Sequence, residues 1–253
     1  MQVLPDVSTP RCHGRSAILD HWGLLRYPFP ALPTLSEFLD VGTHGRAVQS
    51  VVCAGKGSGH VLVGQRGVGK TAVLTVLGEI LDERVFPGWL SNAALDTEAG
   101  DRCGKAVLLD GVSAKQLQSL MGAEQGRGRK IVVAVHWPPD ERLEQFCVRQ
   151  GLDYIELRAW SFSETRLAVE QAVRLAGAAR PIFTAGALAA LFRATAGLPR
   201  RVGRLVNLSL LLGAARKGRE VSDQDVRAAI AELQTLQHTP STTSPGRWPS
   251  SAA

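Results

Sequence analysis

A glycine-rich stretch with one lysine and one threonine is the part of this sequence best suited to chemistry. Gly64 ends an apolar run, and Gly69, Lys70 and Thr71 follow after four intervening residues. Glycines let the backbone turn so that its N–H groups point inward at an anion, and a following helix adds its positive end. At this spacing a lysine reaches the β- and γ-phosphates of a nucleotide, and a threonine hydroxyl holds Mg²⁺. The predicted phosphate-binding residues are Gly64, Gln65, Arg66, Gly67, Val68, Gly69, Lys70, Thr71 and Ala72.

The flanking segments favour a phosphate-binding loop over its alternative, a glycine-rich turn with an incidental surface lysine. Residues 60–63 predict a buried strand that enters the loop, and residues 72–81 predict a helix that leaves it. A strand, a loop and a helix in this order are the context that phosphate binding requires.

A carboxylate at the end of a second apolar run is the other half of the predicted site. The run begins at residue 105 and ends in Asp110. Downstream of a phosphate-binding loop such a carboxylate positions Mg²⁺ through water, although a strand-end aspartate can also cap a turn. The next residue is Gly111, which has no side chain that could act as a base. Three further carboxylates that nothing in the sequence places at the site are Glu79, Glu83 and Glu124.

An arginine at the start of a later predicted helix is the third candidate. A glycine, a leucine and a proline lead into Arg200. Such a turn can aim a guanidinium across a cleft, and the planar fork of arginine suits phosphate. A surface charge on a basic helix explains the residue equally well, because two more arginines follow within four residues.

The composition is that of a globular protein with a basic surface. The chain has 253 residues, 45% of them hydrophobic, and a formal net charge of +6, which permits an acidic partner such as a nucleotide or nucleic acid. Its four cysteines form no C-x-x-C pair, so they predict neither a zinc site nor a disulfide framework. No stretch has the length of a signal peptide or a membrane span, and we expect a cytoplasmic protein.

Strand-like runs that alternate with helical stretches predict a mostly parallel sheet sandwiched by helices, as in an α/β P-loop NTPase. These runs lie at residues 60–63, 105–110, 130–135 and 152–157, and we find no convincing strand across 86–104. The expected organisation is a flexible N-terminal arm over 1–20, a nucleotide-binding α/β domain over 21–158, a small all-α lid domain over 159–236 and a disordered tail over 237–253.

From residue 161 onward the sequence predicts helices only. Ser161 and Glu164 form a capping box, and Thr184 caps the next helix. Between residues 164 and 219, ten lysines or arginines face only two carboxylates. Such a surface can follow a nucleic-acid backbone, although a solvated helix face explains it as well, and no stacking aromatics are interleaved with it.

Together these residues resemble AAA-type P-loop ATPases of the ExeA-like group, which serve bacterial secretion and related systems and are similar to transposition ATPases that bind target DNA. The resemblance covers most of residues 20–236. The matching pieces are Gly23-Leu24 with Pro28-Phe29, Gly64 to Thr71, Val107 to Asp110, Pro181 to Thr184 with Ala187-Leu188, Gly197 to Arg200 followed by Val206-Asn207, and Val221 to Leu233.

The resemblance implies ATP and Mg²⁺ as cofactors, bound between the α/β domain and the lid. It implies that Pro28 and Phe29 lie near the adenine, and that Pro199 leads into Arg200 as the lid arginine that senses the γ-phosphate. The family usually has an acidic residue at the position of Gly111.

Two further family features fall on other residues here. The family has a polar sensor residue where His136 and Trp137 stand. It also has an arginine finger close to the position of Tyr154, for which Arg149 is the nearest candidate.

The expected function is that of an ATP-binding AAA-type ATPase with Lys70, Asp110 and Arg200 as catalytic residues and Thr71 and Asp110 as metal ligands. ATP binding and slow hydrolysis would move the lid and act on a protein or DNA partner, and the chain could form a homo-oligomer. Two alternatives stay open: a nucleotide-gated interaction module that hardly hydrolyses ATP, and a DNA-binding accessory protein.

Overall fold

The computed structural model describes residues 13–87, 106–124, 128–135, 138–139 and 142–238. The strands are β1 (Gly59–Val63), β2 (Val85–Pro87), β3 (Ala106–Val112), β4 (Lys130–Val135) and β5 (Asp153–Glu156). The helices are α1 (His13–Trp22), α2 (Thr43–Cys53), α3 (Lys70–Leu81), α4 (Ala114–Glu124), α5 (Leu143–Gln150), α6 (Phe162–Leu175), α7 (Ala185–Thr195), α8 (Pro199–Ala215) and α9 (Asp223–His238), with a 3-10 turn at Leu35–Glu37. The predicted tail from residue 239 onward lies outside the described residues.

One five-stranded sheet has the order β2-β3-β4-β1-β5, and neighbouring strands are parallel throughout. Every residue of β1 and β4 is buried, as expected of strands covered on both faces. Because the strands are parallel, the carboxyl ends of β1 and β3 lie at the same edge. The structure therefore confirms the predicted α/β P-loop NTPase fold.

Alternating side chains of the strands pack against helices on the two faces of the sheet. Val61 and Val63 belong to a cluster that includes buried residues of α4 and α5. Leu62 belongs to a second cluster, with buried residues of α2 and α3. The sheet is therefore the middle layer between two sets of helices, which is the sandwich that the sequence predicts.

The edge strand β2 is the element that sequence patterning does not reveal. It has three residues, with Phe86 buried, and it pairs with β3 through Val85 opposite Leu108. Three residues are too few to show a periodic pattern, and Pro87 is typical of an edge strand because it cannot donate a ladder hydrogen bond.

The loose arm predicted over residues 1–20 is wrong in its second half, because α1 begins at His13. Trp22 is 7% exposed, and its Nε1 donates to the carbonyl oxygen of Leu210 at 2.8 Å. Ile18 and Leu19 pack against the same apolar cluster. The partner of Trp22 lies 188 positions away, so the local sequence carries little sign of this helix.

Helices α6 to α9 are here named the lid, and α6 and α7 begin where their capping residues predict. The hydroxyl of Ser161 accepts from the N–H of Glu164, whose carboxylate accepts from the N–H of Ser161. Thr184 caps α7 by accepting from Ala187 at 3.2 Å. Within the described ranges, no helix combines the length and apolarity that a membrane crossing needs.

Candidate functional site

The predicted phosphate-binding loop joins the buried end of β1 to the first residue of α3. Gly67 and Gly69 have φ angles of 87° and 108°, a region that side chains disfavour. Gly69 is the N-cap of α3 in a left-handed conformation, and Lys70 begins the helix. The loop therefore folds over the positive end of a helix, an arrangement that binds anions.

Close packing explains the glycines as much as backbone conformation does. A Cβ atom at Gly64 would lie 2.6 Å from the carbonyl oxygen of Leu157, so no side chain fits there. The other predicted loop residues differ in exposure: Gln65 and Arg66 are exposed, Val68 is fully buried, and Ala72 is half-buried in the first turn of α3. The buried valine anchors the loop, while its outer residues face solvent.

The Lys70 ammonium lies within the curve of the loop. Its Nζ donates to the carbonyl oxygen of Gly64 at 2.5 Å and to that of Gln65 at 3.4 Å. Burial lowers the pKa of Lys70, and the negative charge of Asp110 opposes that shift. A cation held by neutral carbonyl groups in a half-buried place gains strongly from a nearby phosphate.

The two predicted metal ligands are in direct contact. Thr71 Oγ1 donates to Asp110 Oδ2 at 2.6 Å, which joins the start of α3 to the carboxyl end of β3. Hydroxyl and carboxylate oxygens are the ligand types that Mg²⁺ takes from proteins. Among the described residues no group of three His, Cys, Asp or Glu side chains could hold a metal alone.

Gly111 occupies a bulge at the end of β3. Asp110 pairs with Ala134 and Val112 with Val135, so Gly111 is an extra residue in the strand, and its φ is 78°. The carboxylate of Glu79 accepts a hydrogen bond from the N–H of Leu35 at 2.8 Å.

Neither of the other two carboxylates is shown at the loop. Glu83 accepts from the N–H of Ala106, at the opposite end of β3 from Asp110. Glu124 is the last residue of α4. The position directly after Asp110, where the resemblance predicts an acidic residue, is occupied by Gly111.

The start of α8 touches the loop directly. The backbone N–H of Arg200 donates to the carbonyl oxygen of Gly67 at 3.1 Å, and a Cβ at Gly67 would lie 3.3 Å from Cβ of Arg200. Pro199 is the first residue of the helix, and Leu198 is buried in the same cluster as Val68. The structure therefore brings Arg200 to the phosphate-binding loop, with its side chain exposed.

The segment that contains Pro28 and Phe29 packs on α8. Pro28 is buried, and the carbonyl oxygen of Phe29 accepts from Nδ2 of Asn207 at 2.9 Å. A Cβ at Gly203 would lie 2.8 Å from Cβ of Phe29, so this approach requires glycine. Phe29 thus contacts α8, and the contact of Pro28 and Phe29 with adenine stays a prediction.

The sensor and arginine-finger positions that the resemblance assigns are described only in part. His136 and Trp137 lie outside the described residues. Tyr154 is in β5, next to β1, and Arg149 is exposed in the last turn of α5. The role of Arg149 as a finger stays a prediction.

Sequence reasoning missed His44, which is 3% exposed and has Nε2 at 2.5 Å from the carbonyl oxygen of Val68. Burial lowers its pKa, with the Val68 carbonyl opposing. A single histidine in a helix that precedes β1 carries no distinctive pattern, so only the fold reveals this contact.

Solved structures match this chain over most of its length. RuvB of Thermotoga maritima, a Holliday junction branch migration motor, matches with a TM-score of 0.58 and 17% identity over 82% of this chain and 74% of RuvB. Domain III of the replication initiation protein DnaA from Thermotoga maritima matches at 0.57 and 17% over 81% and 98%. Drosophila ORC, in a structure bound to DNA, matches at 0.57 and 13% over 92% and 70%.

These likenesses show the fold alone, which is the α/β P-loop NTPase fold that the sequence predicts. No protein-family profile and no curated protein sequence matches the chain. The narrower resemblance to the ExeA-like group therefore stays a prediction.

Proposed function

We propose that this chain binds ATP with Mg²⁺ in its phosphate-binding loop, and that occupancy of the loop sets the position of the lid. The observation that carries the proposal is the convergence of Lys70, Thr71 and Asp110 at the carboxyl edge of the sheet, where Thr71 Oγ1 lies 2.6 Å from Asp110 Oδ2. Open parallel sheets bind their ligands at this edge.

The residues present fit a triphosphate and its metal. The Lys70 ammonium and the backbone amides of the loop supply positive charge and donors for phosphate oxygens. The Thr71 hydroxyl and the Asp110 carboxylate supply oxygen ligands for Mg²⁺. When bound, Mg²⁺ would neutralise negative charge on the phosphate groups.

The contact between α8 and the loop supports a role for the lid. Arg200 donates from its backbone to Gly67, so a shift of the loop on binding acts directly on the start of α8. Its exposed guanidinium can turn toward a γ-phosphate without breaking a buried contact. Nucleotide binding would then shift the equilibrium between two lid positions. The size of that shift depends on how much the nucleotide affinity differs between the two positions.

The bulge at Gly111 favours slow turnover and supports a second candidate, a nucleotide-gated interaction module that hardly hydrolyses ATP. A positioned base contributes about 10²–10⁴-fold in rate, and Gly111 has none to offer. The two candidates share the same binding site and differ only in turnover.

DNA is the proposed partner class, beside an unidentified protein or a second copy of the chain. The solved structures of similar fold include a Holliday junction motor and a DNA-bound complex. Three exposed arginines of the lid form ion pairs, namely Arg166, Arg216 and Arg227. The other exposed basic residues of the lid are Arg174, Arg180, Arg193, Arg200, Arg201, Arg204, Lys217 and Arg219. Binding through such a surface would weaken steeply as salt is raised.

Phosphate release from ATP with and without duplex DNA, beside a Lys70→Ala control, tests these candidates. Slow release that exceeds the control supports the ATPase, and nucleotide binding with no release above the control supports the gated module. No nucleotide binding by the wild-type protein would contradict both. DNA binding that salt does not change would contradict the basic lid as the contact surface.

A further inference from the structure

His44 lies behind the phosphate-binding loop and packs on one peptide group. It is in the first turn of α2, and its Nε2 is 2.5 Å from the carbonyl oxygen of Val68. A Cβ atom at Gly69 would lie 3.0 Å from Nε2 and 3.2 Å from Cδ2 of the same ring. The imidazole therefore rests against the peptide that joins Val68 to Gly69.

The ring carries a hydrogen on Nε2. A carbonyl oxygen can only accept, so Nε2 must be the donor in this contact. Burial lowers the pKa of His44, while the carbonyl groups of Val68 and Val41 and the charge of Glu164 oppose that shift. Nδ1 is buried, and no hydrogen-bond partner for it is shown among the described residues.

The direction of this hydrogen bond fixes the direction of an amide. In a planar trans peptide, the carbonyl of one residue and the N–H of the next point in opposite directions. Because the carbonyl of Val68 is aimed at His44, the N–H of Gly69 points away from it. Within the described part of the chain that N–H donates to no backbone oxygen, and it is the last amide of the loop before α3.

We propose that His44 is a positioning residue of this site: by holding the carbonyl of Val68, it keeps the Gly69 N–H aimed at the phosphate of a bound nucleotide. The inference rests on the proposed function and adds to it a side chain from outside the loop. A donor held in place beforehand needs no reorganisation when the anion arrives, so its orientation is expressed as affinity.

Trp160, which precedes the first helix of the lid, contacts this ring. The Trp160 and His44 rings are 5.7 Å apart between centroids, at 61°. Trp160 is 6% exposed, and its backbone N–H donates to the carbonyl oxygen of Gly197 at 2.9 Å. Gly197 begins the turn that leads to Arg200. Trp160 therefore contacts both His44 and the segment that places Arg200 on the loop.

A histidine that merely fills the core would change stability and leave nucleotide affinity alone. His60 is the matched control for that possibility. It is 1% exposed and burial lowers its pKa, but it lies in β1 at the end away from the loop, with Nε2 at 3.0 Å from Ser58 Oγ.

Three variants separate the two roles: His44→Met, His44→Gln and His60→Met. Methionine and glutamine have similar length, and only glutamine keeps a donor within reach of the carbonyl of Val68. We would measure the dissociation constants of ADP and of ATP with Mg²⁺ by titration calorimetry, and the stability of each protein without nucleotide by denaturant unfolding.

His44→Met is expected to weaken nucleotide binding about tenfold, the equivalent of one hydrogen bond to a charged group. His44→Gln should stay within about threefold of the wild type, and His60→Met within about twofold. Equal affinity of His44→Met and wild type would overturn the inference alone. A wild-type protein that binds no nucleotide would overturn the proposed function, and the inference with it.

A ligand-free measurement keeps the inference testable if the methionine variant does not fold. A long-range ¹H–¹⁵N spectrum of the wild-type protein reports which ring nitrogen of His44 carries the hydrogen. The Nε2–H form is expected at neutral pH. An Nδ1–H form would overturn the inference, because Nε2 could then not donate to Val68.

Discussion

The two edges of the sheet carry the same pair of residue types in different surroundings. Lys70 and His44 lie at the carboxyl edge, beside the phosphate-binding loop, and Lys130 and His60 lie at the amino edge. Each lysine donates to a backbone carbonyl oxygen at 2.5 Å. Burial lowers the pKa of both histidines. Residue type alone therefore does not distinguish the two edges.

The groups around each pair make the difference. At the carboxyl edge, Gly67 and Gly69 have positive φ angles, and the Thr71 hydroxyl donates to the Asp110 carboxylate. At the amino edge, Lys130 is 8% exposed. The hydroxyl of Ser58 is hydrogen-bonded to His60, and its carbonyl oxygen accepts from the N–H of Ile131. We therefore expect a lysine to form part of a ligand site only where neighbouring hydrogen-bond donors can also contact the ligand.

The largest expected effect is a difference in nucleotide affinity between the Lys70→Ala and Lys130→Ala variants. Lys70→Ala removes a charge-assisted contact to phosphate and should weaken binding of ATP with Mg²⁺ about 100-fold, while Lys130→Ala should stay within about twofold. Titration calorimetry of both variants measures this. If the two variants lose affinity equally, the comparison between the edges fails.

Stability should separate the same lysines in the opposite order. Lys130→Ala leaves the buried carbonyl of Val51 without its donor and should lower the free energy of unfolding by about 1–3 kcal/mol. Lys70→Ala should cost less than about 1 kcal/mol, because water can reach the carbonyl groups of the open loop. Urea unfolding without nucleotide gives both numbers, and a larger loss for Lys70→Ala would contradict the assignment.

Backbone shape at the carboxyl edge is open to a separate test at Gly111. Its φ of 78° disfavours any side chain, so Gly111→Ala should lower the free energy of unfolding by about 1–2 kcal/mol. Gly55→Ala is the control, because a Cβ there meets no atom within 4 Å and its φ is not positive. Equal effects in the two variants would show that the bulge does not constrain the residue.

The smallest effect concerns pH, and it should be similar at both edges. An unfolded histidine binds its proton near pH 6.5, whereas burial lowers the pKa of His44 and of His60 in the folded protein. Between pH 7 and pH 6 the unfolded state therefore gains more protons, and stability falls as pH falls, by at most about 0.7 kcal/mol per histidine.

Urea unfolding at pH 7 and pH 6 measures that loss. His60→Met should reduce it by the share of one histidine, and His44→Met by a similar share. An unchanged pH dependence in His60→Met would mean that His60 has the same pKa in the folded and in the unfolded protein.

Local sequence was sufficient where the chemistry is local. The glycine, lysine and threonine spacing predicts the loop, and the capping residues Ser161 and Thr184 predict helix starts that the structure confirms. In each case the interacting groups lie within a few residues, so spacing and residue type determine the geometry.

The contacts that the sequence did not reveal join distant segments. His44 meets Val68 across 24 positions, and Trp22 meets Leu210 across 188. The backbone N–H of Arg200 likewise donates to Gly67, while the role of its guanidinium stays a prediction. No periodicity encodes such pairs, because they depend on how helices pack on a sheet.

The central claim is that the loop holds the phosphate tail of a nucleotide, and ligand-dependent stability tests it most directly. Urea unfolding of the wild-type protein would be compared with ATP and Mg²⁺, with adenosine, and without ligand. At about 1,000 times its dissociation constant, ATP should raise the free energy of unfolding by about 4 kcal/mol, and adenosine at the same concentration should raise it little. No stabilisation by ATP, or equal stabilisation by adenosine, would contradict the account.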